Sequence, residues 1–382
     1  MMSQTLPTSS EAVGPGWAAT YHAYGPAIDI PSLLHLLESN ELSDRQDAMW
    51  ELYGNVFHQG TRYPASVVIV PFLVALVANP AIYDRDEIIG LLCHIALGYD
   101  HAHLPSGIDI VSERKALEER RRLDVEEEKR KLNDWVVEAV DEKMRWKRQC
   151  RLDSRVRTLN HDLRDMKNAV VAYDAVKNQA LPTLCYLLQN DSDSSVRAEA
   201  AHIIAFFPES ADKTLPFVRS IVFEDSDGIP EGLLATAIIS FALLFANCPS
   251  PAPDRQTVEQ RLRQFLTREN RSLRWAAATG LSRLEIVDAA IVRELASAAI
   301  NPLPETSPKI PFYGHEQTGY ALESLKAACA MPLLSDSTLQ SAIDPILDGL
   351  SRPDTPYCDA LVALCCELLW KAPQNSPFNQ GS

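Results

Sequence analysis

The stretch LPTLCYLLQNDSDSSVRAEAAHIIAFFP, from Leu181 to Pro208, decides the fold class. Its leucines recur at helical spacing before a turn that is rich in Asp and Ser, the residue types preferred at helix N-termini. Val196-Arg197 then opens a second run rich in alanine, whose small side chains let two helices approach closely. The stretch therefore predicts two antiparallel helices joined by a short polar turn.

Similar arginine-bearing openings recur along the chain. Arg45 and Arg85 are 40 residues apart, and Arg197 and Arg274 are 77 apart, which is two units of about 38. The interval between Arg85 and Arg197 is 112 residues, one unit plus about 72 more. Because a single helix pair cannot bury its own apolar face, such units stack. We predict an all-α, right-handed α-solenoid of about six to seven helix pairs with a long charged helical insertion.

These openings resemble a known repeat family. Val196 to Ala201 and Leu273 to Ala277 look like the HEAT consensus, with its Asp-rich turn and valine-arginine opening. LYGNVFHQGTRYPASVVIVPFL (Leu52 to Leu73) and IPFYGHEQTGYALESL (Ile310 to Leu325) resemble multi-repeat HEAT proteins whose function is not established. The resemblance implies a HEAT or armadillo-like α-solenoid, and it implies little about activity because such arrays host many functions.

The repeat pattern also predicts a division of the chain. The five expected segments are a flexible lead at 1–28, HEAT-like repeats at 29–104, a charged helical insertion at 105–178, further HEAT-like repeats at 179–372 and a flexible tail at 373–382.

Net charge narrows the class of partner. The chain carries 36 Lys and Arg against 51 Asp and Glu, a net charge of −15. Residues 111–170 hold 17 basic against 14 acidic residues, so the remainder holds 19 against 37, or −18. A negative surface repels phosphate, which disfavours nucleic acid and favours a protein partner with a basic surface.

The sequence favours a soluble cytoplasmic protein. Its first 16 residues, MMSQTLPTSSEAVGPG, lack the basic start and apolar core of a signal peptide. The longest apolar run, Leu233 to Ala246, is too short to span a bilayer. The 8 cysteines form no CxxC pair, which favours reduced thiols and a reducing compartment. Cys365 and Cys366 are adjacent and cannot share one helix face, so packing explains at least one of them.

The charged insertion predicts one long amphipathic helix from about Ser112, followed by a second from about Asp153 to Lys177. One interpretation is a solvated helix that bridges two repeats. The other is a partner-binding arm on which Trp135 and Trp146 act as anchors.

Two connections between repeats hold further candidate binding residues. In Gly54 to Tyr63, bracketed by glycines, His58, Gln59 and Tyr63 could line a recognition pocket. Alternatively, Asn55 and Gly60 cap helix ends while His58 and Gln59 bond to neighbouring carbonyls. The proline-rich loop from Asn301 to His315 displays Phe312, Tyr313 and His315, or is an ordinary connector with Phe312 in the core.

Catalytic and metal-binding patterns are weak. His94, His101 and His103 with Asp100 raise the hypothesis of a metal site, but this spacing is also typical of histidines at a helix C-terminus. We find no Gly-rich phosphate loop, HExxH motif, nucleophile elbow or triad order. We therefore predict no catalytic, cofactor-binding or metal-binding residues.

The expected function is a protein–protein interaction scaffold or adaptor, not an enzyme, that binds through the curved solenoid surface. The alternative is a lyase-like or metal-dependent enzyme on a HEAT scaffold, as the resemblance allows. Deoxyhypusine hydroxylase uses several His-Glu dipeptides, whereas this chain has only His315-Glu316. HEAT-like DNA glycosylases need a basic face, and no motif here indicates the bilin of a phycobilin lyase.

Overall fold

The computed structural model describes residues 16–123, 125–224, 228–248, 254–312, 317–331, 334–352 and 354–371. These residues are predominantly α-helical, and the strands among them are two residues long. The predicted all-α class is confirmed. Within this part of the chain, no helix is both long and apolar enough to cross a bilayer.

The chain forms two compact units. Unit 1 comprises Met1–Tyr83, Leu91–Gly98 and Asp109–Ala180, and unit 2 comprises Asp84–Gly90, Tyr99–Ile108 and Leu181–Ser382. Most of the predicted insertion, 105–178, belongs to unit 1 together with the N-terminal helices.

Unit 1 combines helices with two small hairpins. Its strands pair antiparallel as β1 (Tyr21–His22) with β2 (Gly25–Pro26) and β3 (Phe57–His58) with β4 (Thr61–Arg62). The helices that contribute to it are α1 (Ile30–Leu36), α2 (Leu42–Val56), α3 (Pro64–Val68), α4 (Val70–Ala78), the second half of α5 (Arg85–Leu97), α6 (Ile110–Arg122), α7 (Val125–Val137) and most of α8 (Glu142–Asn190).

The insertion is built differently from the prediction. Three helices, α6, α7 and the 49-residue α8, replace the expected long helix and its shorter successor. The backbone of Leu123 is extended at the end of α6. Before α8, the Asp141 carboxylate accepts a hydrogen bond from the backbone N–H of Met144 at 2.6 Å. This capping bond starts a new helix where the charge pattern alone looks continuous.

Two ion pairs hold α6 along α8 within unit 1. Arg114 donates to both carboxylate oxygens of Asp174 at 2.8 Å, and Arg120 donates to Asp162 at 2.8 Å. Arg114 precedes Arg120 on α6, whereas its partner Asp174 follows Asp162 on α8. The two helices therefore run antiparallel. The insertion therefore packs through α6 on its own long helix.

Unit 2 is a stacked series of helices, an α-solenoid. Helix α11 packs against α9, α10 and α13; α13 packs against α12, α14 and α15; and α16 packs against α14 and α17. The helices that follow α8 are α9 (Ser194–Ile204), α10 (Ala211–Phe223), α11 (Glu231–Asn247), α12 (Arg255–Leu266), α13 (Arg271–Arg283), α14 (Ala289–Ile300), α15 (Gln317–Cys329), α16 (Asp336–Leu350) and α17 (Cys358–Lys371).

The recurring arginines have a common structural role. Arg45 donates to the carbonyls of Ser39 and Asn40, and Arg274 donates to those of Arg268 and Glu269. Each guanidinium thus satisfies carbonyls in the turn that precedes its own helix. The repeat spacing read from the sequence reflects this hydrogen bonding.

Arg85 departs from that pattern. Its guanidinium donates to both carboxylate oxygens of Asp191, at 2.6 and 3.0 Å, across 106 residues of sequence. Both side chains are buried, with 7% and 6% of their surface exposed. In unit 2 this bidentate pair fixes the start of α5 to the turn that precedes α9.

Glycine permits one close contact in unit 2. A Cβ at Gly232, at the start of α11, would lie 1.7 Å from the carbonyl oxygen of Pro308. The loop from Asn301 to Phe312 therefore packs directly against the helix backbone. That contact requires a residue without a side chain.

Candidate functional site

A cluster of four carboxylates lies in unit 2, which we name the acidic cluster. Asp86 and Glu87 stand in the first turn of α5, while Asp193 caps α9 and Glu199 lies one turn further along that helix. Asp193 accepts a hydrogen bond from the backbone N–H of Ser195 at 2.8 Å. The two helix starts, separated by more than 100 residues of sequence, thus bring their negative charges together.

The electrostatics of the acidic cluster are unfavourable for full ionisation. Burial raises the pKa of Asp86 above its ordinary value, and the charges of Glu199 and Asp193 raise it further. Burial also raises the pKa of Glu87, as do Asp86, Asp84 and Glu199, while Lys309 opposes the rise. Repulsion among these carboxylates would be relieved by a cation from outside the chain.

A buried histidine adjoins the acidic cluster. The His202 side chain is 4% exposed, and its ring nitrogens lie 3.3 Å from Asp100 and 3.6 Å from Glu199. The rings of Phe206 and Phe312 pack edge-on against it, with centroids 5.3 and 4.6 Å away. His202 therefore anchors one side of the cluster in the core.

The predicted residues of the Gly54 to Tyr63 connection lie on the β3–β4 hairpin of unit 1. His58 Nδ1 lies 3.2 Å from the hydroxyl of Tyr24. Gln59 is exposed at the tip with a φ of +49°, followed by Gly60 at +83°. Tyr63 is half-buried after β4, and its backbone N–H donates to Ser66 Oγ at 2.7 Å. Burial, followed by the charge of Asp165, raises the pKa of the Tyr63 hydroxyl.

A hydrogen-bond network connects the β1–β2 hairpin to the end of α2. The Asn55 amide donates to Asp29 at 2.6 Å, and His22 Nε2 bonds to the other Asp29 oxygen at 2.9 Å. Because the backbone N–H of Tyr24 donates to His22 Nδ1, the ring proton lies on Nε2. Asn55 thus serves the β1–β2 hairpin, not the helix end that the sequence interpretation gave it. The pocket prediction for His58, Gln59 and Tyr63 stays a prediction.

The two tryptophans of the insertion differ. Trp135 is half-buried, and the guanidinium of Arg148 lies over its ring at 4.7 Å from the centroid. Trp146 is 67% exposed on α8. Trp135 therefore stabilises the α7–α8 hairpin, and Trp146 is the one of the two that is presented to solvent.

The proline-rich loop gives its aromatic ring to the core. Phe312 is fully buried against His202, Phe206 and Tyr320, so it is not displayed. This is the connector interpretation of the loop, and it corrects the expectation that Phe312 is available to a partner. Tyr313 and His315, the other two candidates there, lie outside the described residues.

The histidines that raised the metal hypothesis take up aromatic contacts. His94 packs on Tyr53 and Phe57, with centroids 5.4 and 5.0 Å away, and His101 stacks on Tyr99. Among the described residues, no group of three or more metal-ligating side chains is assembled. Packing accounts for the rings of His94 and His101.

The adjacent cysteines divide as their spacing predicts. Cys365 is buried and Cys366 is exposed, so the first belongs to the core of unit 2. Elsewhere, burial raises the pKa of the Cys185 thiol to about 11, which keeps it protonated and unreactive.

Comparisons with known proteins give no family. No protein-family model and no curated protein matches the sequence. Among solved structures, an engineered protein is similar at 16% identity and a TM-score of 0.32, with 91% of this chain and 90% of that chain covered. Cohesin subunit Scc3 from Z. rouxii is similar at 10% identity and a TM-score of 0.30, with 91% of this chain covered but only 39% of that one. Neither likeness carries an argument about function.

Proposed function

We propose that this chain is a scaffold that acts by binding, not by catalysis, and that unit 2 binds a protein partner with a basic surface. The observation that supports this most strongly is the acidic cluster, where burial, followed by the charges of neighbouring carboxylates, raises the pKa of Asp86 and Glu87. A lysine- or arginine-rich segment placed there would relieve the repulsion among these carboxylates and favour their ionised form.

The helical array fits this role physically. Stacked helices bury their apolar sides against each other, as α11 does, and leave their outer surfaces for contact. As part of the same proposal we place the chain in the cytoplasm, because its exposed thiols, Cys150 and Cys366, suit a reducing compartment.

A binding measurement tests the proposal. A fluorescent peptide of alternating lysine and leucine is titrated with the full chain, and binding is followed by anisotropy at two salt concentrations. We expect Asp86→Asn with Glu87→Gln to weaken binding about tenfold, because two rim charges contribute up to about 1 kcal/mol each. The salt dependence should fall in parallel.

The matched control neutralises two exposed acids elsewhere in unit 2, Asp336→Asn with Asp359→Asn. This control changes the net charge equally and should leave the affinity within about twofold of the original protein. Equal losses in both double variants would show that net charge alone attracts the peptide, and would reject the acidic cluster as the binding surface.

A further inference from the structure

Helix α8 carries a concentration of positive charge unlike the rest of the chain. Residues 143–157 contain seven basic residues and a single acidic one, Asp153, a net charge of 7 − 1 = +6. The exposed side chains that define this surface, which we name the basic face, are Lys143, Trp146, Lys147, Arg151 and Arg155.

The basic face is unpaired, whereas its neighbours on α7 are paired. Lys131 lies 2.9 Å from Glu127, and Lys129 lies 3.8 Å from Glu126. Across the described residues, no carboxylate lies within 4 Å of any of the four cations of the basic face. The cations of the basic face on α8 thus have no neighbouring carboxylates to neutralise them, whereas the lysines of α7 do.

Exposed apolar side chains accompany this charge. Trp146 is 67% exposed. Val137, at the end of α7, and Val140, in the connection to α8, are 71% and 84% exposed. Lys143 and Cys150 lie one turn before and after Trp146 on the same side of the helix. An exposed tryptophan can be buried by a partner and so contribute binding energy, while the unpaired cations around it attract and orient an anionic partner.

We propose that the basic face of α8 docks an acidic protein segment that also carries apolar side chains. Charge complementarity requires an anion, and Trp146 with the two valines requires apolar groups that a phosphate backbone lacks. Nucleic acid or an anionic membrane extends beyond one helix face and would also meet the acidic remainder of unit 1, where residues 16–83 carry a net charge of 2 − 6 = −4. A short acidic segment meets only the field within about 8 Å of the helix.

This inference rests on the proposed scaffold function and gives it a second partner of opposite charge. The test uses the full chain and a labelled peptide of alternating glutamate and phenylalanine, with a glutamine-for-glutamate peptide, a polyuridylate oligomer and phosphatidylserine vesicles as further probes. We expect the acidic peptide to bind about tenfold more tightly than its glutamine counterpart. Tighter binding to the RNA or to the vesicles would overturn the choice of a protein segment.

Matched variants locate the site. Lys147→Gln with Arg151→Gln should weaken acidic-peptide binding about tenfold, while Lys129→Gln with Lys131→Gln, which changes the net charge equally, should change it less than about twofold. Trp146→Ala should cost about tenfold or more, and Trp50→Ala, which removes the 82% exposed tryptophan of α2, should have no effect. Equal losses within either pair of variants would reject the basic face.

The proposals for the acidic cluster and for the basic face can be tested independently of each other. The α8 variants should retain binding of the lysine–leucine peptide, and the Asp86→Asn, Glu87→Gln variant should retain binding of the acidic peptide. Circular dichroism of every variant establishes that helical content is unchanged. Loss of both peptides in one folded variant would contradict the assignment of two surfaces.

Discussion

Helix α11 and the first part of α8 are both long helices, but they differ in what surrounds them. In α11 every residue from Gly232 to Phe245 is buried, because helices α9, α10 and α13 all pack against it. Between residues 143 and 157 of α8, only Leu152 is buried. A long helix therefore forms part of the core in unit 2, whereas in unit 1 a long helix exposes most of its side chains to solvent.

The largest expected effect is the loss of a buried ring from α11. Phe241→Ala removes a fully buried side chain and should reduce the free energy of unfolding by about 3–5 kcal/mol. Urea denaturation followed by circular dichroism measures it. A loss under about 1 kcal/mol would mean that α11 is not the centre of a packed array.

The next effect concerns the buried ion pair. Asp191→Asn leaves the Arg85 guanidinium buried without its carboxylate and should destabilise the fold by about 3 kcal/mol. Burial raises the pKa of Asp191, but hydrogen bonds and charges from Arg85 outweigh it, so the pKa lies below its ordinary value.

The pH dependence of this pair follows from that direction. A carboxyl with a lowered pKa in the fold adds stability above its ordinary pKa, and this stability is lost as pH falls through the lowered value. In the original protein, stability should therefore fall below about pH 4, and Asp191→Asn should show less of this fall. Parallel acid denaturation curves for the two proteins would contradict the role of Asp191.

Alanine substitutions at two helical glycines compare a position in close contact with its surroundings and a position with free space around it. Gly232→Ala places a methyl group against the Pro308 carbonyl and should cost about 2 kcal/mol. Gly54→Ala, in α2, meets no atom within 4 Å and should be neutral or stabilise by up to about 1 kcal/mol. Thermal denaturation of both variants tests the contrast, and losses of equal size would refute the packing of the loop on α11.

A smaller effect separates the acidic cluster from the ion pair. Asp86 has a raised pKa, so its contribution to stability is fully present below its ordinary pKa and is lost as pH rises through the raised value. Asp86→Asn should flatten this decline above about pH 4. Denaturation at a series of pH values measures this decline. A variant whose stability declines as steeply as that of the original protein would exclude a raised pKa at Asp86.

The smallest effect belongs to the basic face. Trp146→Ala should change the free energy of unfolding by less than about 0.5 kcal/mol, because the ring is mostly exposed. The same denaturation assay measures it beside Phe241→Ala. A loss comparable to that of Phe241→Ala would show that Trp146 belongs to the core.

The sequence predicted the helix pair around Leu181 to Pro208 because its apolar spacing and its capping turn are local features. The turn is present, with Asp193 as the N-cap of α9. The three-helix form of the insertion was missed, since the charge pattern continues through the break that Asp141 caps. The repeated arginines were found by their spacing, and Arg45 and Arg274 share the role of donating to carbonyls of the preceding turn.

The candidate site was harder to predict because it depends on long-range contacts. Trp146 could be named from its place in a charged helix, but nothing local distinguishes the buried Phe312 from an exposed ring. The carboxylates of the acidic cluster come from two segments whose ion pair, Arg85 with Asp191, spans 106 residues. The Asp-rich turn and the acidic start of α5 can each be recognised in the sequence, but their proximity in the fold cannot.

Hydrogen exchange of the full chain, with each peptide in turn, tests the central claim most directly. The lysine–leucine peptide should slow exchange at residues 84–90 and 193–199, and the glutamate–phenylalanine peptide should slow it at residues 143–157. Protection of one common region by both peptides, or protection confined to residues outside these segments, would contradict a scaffold with two oppositely charged binding surfaces.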